Sequence, residues 1–395
     1  MIPGADNKPY DGLTRHVYEV SKRLVKNDFT VINVVPSVDE SFGVQQIDNS
    51  YTFVRIPVTN LRLIRTLLNK IDVNLGYIPH YINYYEASRK LLRNLEKPLI
   101  LHTHGFYTIA QPKMKIVHGK RIVTFHGFGQ LDAIAKEQAH IKLPLLNFML
   151  RKVYRNADHY TTFSNTMKSI ATRLYGIDSN NITIVPHGVD AKFFSSKVSS
   201  EEIERIEARF KLNKPCRVLF FGNLIKGKRL DVLLEAFQIL KSRKCNIMLI
   251  LKTGLVRHYF EILELISKLG IKDLVRVITE NVWGSDLRAL YKASDMFVNY
   301  HLLSGHSTAL LEAMASGVPP IIYRHSLNRD IVDPSNGVIL TTLDPVALAD
   351  AIEMLAKDKK LCKRLGHNAM NKMLKEYDWD KVVVPGYISV YDTLN

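Results

Sequence analysis

The chain holds 395 residues, 46% hydrophobic and 23% charged, with a formal net charge of +16. That length suits two domains of ordinary size, and that balance excludes a disordered or collagen-like chain. No apolar run reaches the ~18 residues of a membrane span, and the opening MIPGADNKPYDG lacks the pattern of a secretory leader. Cys216, Cys245 and Cys362 are scattered without C-x-x-C spacing, so neither a disulfide framework nor a zinc site is expected. A cytoplasmic protein is the expectation. Residues 51–200 carry 21 basic against 8 acidic side chains, a field that attracts nucleic acid, acidic lipid headgroups or phosphorylated small molecules. Solubility alone is the plainer reading. Nucleic acid is not expected, because no helix-turn-helix, zinc-finger or ribonucleoprotein signature is present.

In chain order, Arg15–Val25 reads as an amphipathic helix and Thr30–Val35 as a strand. Leu99–His102, Arg121–Phe125, Tyr160–Phe163 and Ile182–Val185 are further strands, with a helix at Leu145–Tyr154. Residues 191–215, polar and rich in Ser, Lys and Glu, read as a linker with one short helix. Beyond it, Arg217–Phe221 is a buried strand and Leu230–Lys241 a helix with Leu230, Leu233, Phe237 and Leu240 on one face. Ile247–Leu251, Val275–Ile278, Met296–Val298, Pro320–Tyr323 and Val338–Leu340 continue the strands, spaced by helices such as Ser285–Ala293 and Ser307–Ala315. The alternation predicts an α/β fold of two doubly wound domains, 1–190 and 216–375, each a parallel sheet covered on both faces. A ligand would sit at the carboxyl ends of the strands.

Two segments carry phosphate chemistry. Ser304-Gly-His-Ser-Thr precedes the helix formers ALLEAMA, which close at Gly317. Free N–H groups from Gly305 to Thr308 would form an anion site, and Glu312, one turn on, could accept from ribose hydroxyls. A capped helix with a structural Glu fits these residues equally well. Gly222-Asn-Leu-Ile-Lys-Gly-Lys-Arg follows a strand and opens a helix, so Lys226, Lys228 and Arg229 could cradle phosphate. A solvated basic turn is the competing reading, and the Walker pattern is absent.

Nearly end to end, these motifs resemble glycosyltransferase family 4, retaining nucleotide-sugar enzymes of the GT-B fold with two Rossmann-like domains facing across a cleft. DGLTRHVYEVSKRL is similar to that family's N-terminal glycine loop and helix, and LHTHG and TFHGF to two acceptor-domain strand ends. ADHYTTFSNTMKSIA and IVPHGVDAKFF resemble the interdomain approach, FFGNLIKGKRLDVLLEAF the diphosphate loop, and ASDMFVNY with SGHSTALLEAMASGVP the donor signature. EYDWDKV resembles the start of the terminal helix, which implies that 376–395 returns to the first domain.

The resemblance implies catalytic roles for Lys228, His126 and Glu312. It implies donor binding by Gly12, Asn223, Arg229, Ser304, Gly305, His306, Ser307, Thr308 and Glu312. Lys228 and the Gly305–Thr308 amides would neutralise the departing diphosphate, Glu312 would hold the ribose, and His126 would lie beside the transferred sugar. No cofactor or metal is implied. The implied partners are a nucleoside-diphosphate sugar and a glycan or lipid-linked acceptor. The basic charge adds an anionic membrane surface, placing the protein peripherally on the inner face.

Three departures stand out. Ser304 occupies the first position of the family's E-x7-E, Asn223 replaces an Arg with Arg229 nearby as a partial substitute, and Tyr300 and His301 replace Pro and Ser. They leave open a non-catalytic member that binds nucleotide sugars or acts as a scaffold. Only Met1–Asp11 precede Gly12, without an apolar run, so roughly ten further residues forming a first strand are expected upstream. His102-Thr103-His104 puts two imidazoles on one strand face, but no third metal ligand is evident and substrate lining is expected. Asp378 of Asp378-Trp379-Asp380 reads as a helix N-cap. Asn60–Ile71 and Lys142–Arg155 are basic amphipathic stretches that either pack on the first sheet or lie at a membrane interface.

Overall fold

The computed structural model describes residues 12–37, 43–57, 99–104, 119–127, 151, 154–155, 157–224, 228–254, 259–300, 306–324 and 327–394. Leu145–Tyr154, Asn60–Ile71 and Lys142–Arg155 fall largely or wholly outside them. The described residues divide into two units, one of residues up to 127 with 151–187 and 379–394, the other of residues 188–378. No helix among the described residues is long and apolar enough to cross a membrane.

In the first unit, Val31–Ser37 (β1), Gly43–Asp48 (β2) and Tyr51–Pro57 (β3) form a sheet ordered β1-β3-β2. β1 runs parallel and β2 antiparallel to β3. The β2–β3 hairpin was not foreseen, because Val44–Asp48 are exposed and show no apolar alternation. Leu99–His104 (β4), Gly119–Phe125 (β5), His159–Thr162 (β6) and Ile182–Ile184 (β7) form a parallel sheet in sequence order. Ile122–Phe125 are all buried, as expected of a central parallel strand. The helix Gly12–Val25 and the last helix, Val384–Asp392, share one core: Val20, Leu24 and Ile122 pack with Trp379, Tyr387 and Tyr391. Arg23 ties the same elements, its Nε donating to Asp380 at 2.7 Å. Asp378 pairs through its backbone with Val189, and the terminal helix has no side-chain cap.

The second unit carries Cys216–Phe221 (β8), Ile247–Lys252 (β9), Val275–Ile278 (β10), Met296–Asn299 (β11), Pro320–Tyr323 (β12) and Val338–Leu340 (β13). All neighbours are parallel, in the order β10-β9-β8-β11-β12-β13. That is the doubly wound 3-2-1-4-5-6 arrangement, whose order reverses between β8 and β11. The two-residue period sends Val218, Phe220, Leu249 and Leu251 into one core and Leu219, Met248 and Ile250 into the other. Both faces of the sheet are therefore sealed by helices.

Residues 191–215, expected as a linker with one helix, hold two, Ala191–Ser195 and Ser200–Phe210. Their Phe194, Ile206 and Phe210 join Leu219 and Ile250 in the second unit's core. A reciprocal capping box between Ser199 and Glu202 starts the longer helix. The polar composition that suggested a linker belongs to its solvent face.

Candidate functional site

In an open parallel sheet the switch point leaves a crevice that the two flanking loops line. Here those loops follow β8 and β11, and they contain the two phosphate segments. After β8, the Gly222 N–H donates to the Lys252 carbonyl at 3.0 Å, which joins the loop to the end of β9. Asn223 is exposed and Lys228 half-buried. Arg229 opens the helix Leu230–Ser242 in the left-handed region, φ 49. A side chain there is strained where glycine would not be. The Arg229 guanidinium folds onto Asp231, with contacts of 3.0–3.2 Å. Its charge is thereby paired at the surface, beside the loop that holds Asn223.

Ser304 and Gly305 lie outside the described residues. His306 is buried, and Ser307 caps the helix Thr308–Ala315 by accepting from the Leu310 N–H through Oγ. The Ser307 N–H donates to Asn328 Oδ1 at 3.0 Å, and Asn328 Nδ2 donates to Asn299 Oδ1 at 3.3 Å. The expected row of free amides therefore loses Ser307, whose N–H holds the helix start to buried Asn328. Thr308 remains in the first turn, with Oγ1 lacking a hydrogen-bond partner.

Glu312 is only 1% exposed, and its Oε2 accepts from the Tyr291 hydroxyl at 2.8 Å. Tyr291 comes from the helix Gly284–Lys292, and its ring neighbours Phe221 at the end of β8. Lys252, 2% exposed, lies 5.1 Å from the Phe221 ring centroid and donates through Nζ to the Thr253 carbonyl. Burial lowers its pKa to about 8, against the opposing pull of Glu280. Tyr291, Asn328 and Lys252 were missed in the sequence. Only Lys252 left a signal there, as a lone cation closing the run Met-Leu-Ile-Leu. In Tyr300, the hydroxyl donates to the Thr342 carbonyl, a structural use.

Gly12 and His126 belong to the first unit. Gly12 is the exposed first residue of its helix, and His126 follows β5. The pair read along β4 is not the grouping that the fold makes. His102 bonds through its two nitrogens to Tyr391 Oη at 2.7 Å and Thr124 Oγ1 at 2.6 Å. His104 Nδ1 instead meets His126 Nε2 at 2.9 Å, and the buried His16 ring lies 5.0 Å from His126 and 4.9 Å from His187. Burial, and then the neighbouring imidazoles, hold His16 and His126 well below the ordinary histidine range, while burial alone takes His104 to about 3. Neutral imidazoles can accept as well as donate hydrogen bonds, which suits a surface that lines hydroxyls.

Two Rossmann-like units, one with a basic loop and a buried carboxylate at its switch point, are the architecture of a GT-B glycosyltransferase. Residues 10–193 match the family described as Glycosyltransferase Family 4, and residues 202–372 match Glycosyl transferases group 1. The chain belongs to the family 4 type of GT-B glycosyltransferases, enzymes that transfer sugars. It is 24% identical over 393 residues to mannosylfructose-phosphate synthase of Agrobacterium fabrum, covering 93% of this chain and 83% of that protein. Among solved structures it resembles sucrose-phosphate synthase of Thermosynechococcus elongatus, with a TM-score of 0.80 at 16% identity over 97% and 94% of the two chains. It also resembles the Anabaena protein HepE solved with UDP-glucose, with a TM-score of 0.70 at 15% identity over 98% and 97%.

Proposed function

We propose that the chain transfers a sugar from a nucleoside-diphosphate sugar to an acceptor hydroxyl with retention of anomeric configuration. The observation that carries this reading is the buried Glu312, fixed by Tyr291 at the switch point, where a carboxylate can accept from ribose hydroxyls. Lys228 neutralises the diphosphate, and the charge of Lys252 supports the same loop from the end of β9. The acceptor hydroxyl attacks the anomeric carbon on the face that the diphosphate leaves. A carbon–oxygen bond to the acceptor forms as the bond to phosphate breaks, and the hydroxyl proton passes to the departing diphosphate. No step requires a metal.

The basic charge supports a lipid-linked glycan acceptor at an anionic, cytoplasmic membrane face. A second reading, a soluble sugar or polyol phosphate, is favoured by the names of relatives such as mannosylfructose-phosphate synthase and D-inositol 3-phosphate glycosyltransferase of Salinispora tropica. The test is a thermal-shift panel of nucleoside diphosphates and their sugar conjugates. Sugar release from any hit is then followed with membrane extract and, separately, with sugar phosphates. Stabilisation by one nucleotide with transfer in either arm supports the enzyme and selects its acceptor class. Stabilisation with release in neither arm favours the binding-only alternative, and stabilisation by none overturns the donor assignment.

A further inference from the structure

We propose that His16, His104 and His126 together bind one divalent transition-metal ion of the zinc, cobalt or nickel kind. One ring nitrogen from each lies within 4.8 Å of the other two. His104 Nδ1 and His126 Nε2 are already 2.9 Å apart. Two nitrogens on a tetrahedral ion, each ~2.0–2.1 Å from it, stand ~3.3 Å apart. Insertion therefore needs only a few tenths of an ångström of spreading between these two rings.

His16 supplies the second reason. Its side chain is fully buried, and Nε2 is engaged with the Tyr387 hydroxyl at 2.9 Å. Nδ1 is buried with no hydrogen-bond partner. A buried, unsatisfied ring nitrogen is costly unless something ligates it. The arrangement matches a metal-binding histidine, whose second nitrogen is fixed by an outer hydrogen bond that sets tautomer and orientation. His102, with both nitrogens engaged by Thr124 and Tyr391, packs against His104 at 4.3 Å between ring centroids and takes no ligand role.

The ligands come from separate parts of the chain: the first helix, the end of β4 and the residue after β5. Spacing along the sequence could not join them. Three neutral nitrogens without a carboxylate suit zinc, cobalt or nickel over calcium or magnesium, which take oxygen ligands. His104 and His126 are half-buried, so a fourth position can be filled by water or an anionic oxygen.

The test titrates the full, tag-free chain with Co2+ and follows visible ligand-field absorption, with competition by Zn2+. One Co2+ per chain, displaced by Zn2+, is expected. His104→Gln and His126→Gln, both at half-buried positions, should each weaken binding ~100-fold or more, and Tyr387→Phe ~10-fold through His16. His159→Gln, whose ring bonds Thr183 outside the cluster, should leave binding unchanged. Circular dichroism checks that each variant is folded, and a misfolded one is set aside for the others. No saturable Co2+ binding, or binding unchanged in the folded His104 and His126 variants, overturns the site. The readout uses no sugar donor, so it is independent of the transfer activity.

Discussion

The Tyr291 hydroxyl donates to Glu312 Oε2 at 2.8 Å, and both side chains are shut away from water. The carboxylate proposed to hold the ribose is thus aimed from behind by a residue on another helix. Tyr291→Phe keeps the ring and removes this donor. Leaving a buried carboxylate short of one bond is expected to cost ~1–3 kcal/mol of stability. Nucleoside-diphosphate affinity should fall while kcat changes less. Urea denaturation and titration calorimetry on the same variant check both.

Lys228 is half-buried on the loop after β8, so Lys228→Ala should leave the melting temperature nearly unchanged. Removing one charge that stabilises a leaving group is expected to lower turnover ~10²–10³-fold. Single-turnover sugar transfer at saturating donor measures it. Unchanged turnover would remove Lys228 from the mechanism.

Arg229 sits at φ 49, where a side chain costs ~1–2 kcal/mol and glycine does not. Its pair with the half-exposed Asp231 returns ~0–1 kcal/mol. Arg229→Gly is therefore expected to stabilise the second unit by about 0.5–1 kcal/mol. A higher urea midpoint at unchanged slope is the expected reading.

Lys252 gives a pH dependence of defined sign. Its amine titrates near 8 when folded and near 10.5 when unfolded. Between those values the unfolded state binds more protons, so this group makes stability rise with pH across that window. Below 8 both states are protonated, and the native state bears the full cost of the buried charge. Lys252→Met is expected to gain ~1–3 kcal/mol at pH 7, with the gain fading as pH approaches 10.5. Denaturant melts at several pH values check this.

The doubly wound second unit was largely legible, because buried strands such as Ile247–Leu251 are short, wholly apolar runs that no amphipathic helix imitates. Lys228, Glu312 and the cap at Ser307 were legible as local patterns around a strand end and a helix start. Tyr291 and Asn328 were not, since each reaches the site from an element remote in sequence. The histidine cluster failed to register for a related reason. His102 and His104 share a strand face and were read as a pair, whereas the fold turns one to Thr124 and the other to His126. The charged outer face of Ser200–Phe210 made residues 191–215 read as a linker, because its buried side is only Ile206 and Phe210.

Residues 379–394 complete the core that residues 12–187 begin, with Trp379, Tyr387 and Tyr391 packed against Val20, Leu24 and Ile122. On a ribosome, the first unit must therefore wait for about 190 intervening residues, ~10–40 s at ~5–20 residues per second. The second unit, residues 188–378, can finish folding first. The order of birth and the order of maturation are reversed. The half-built N-terminal sheet, with Ile122 and Val20 still uncovered, is the stage at which a nascent chain most needs a chaperone.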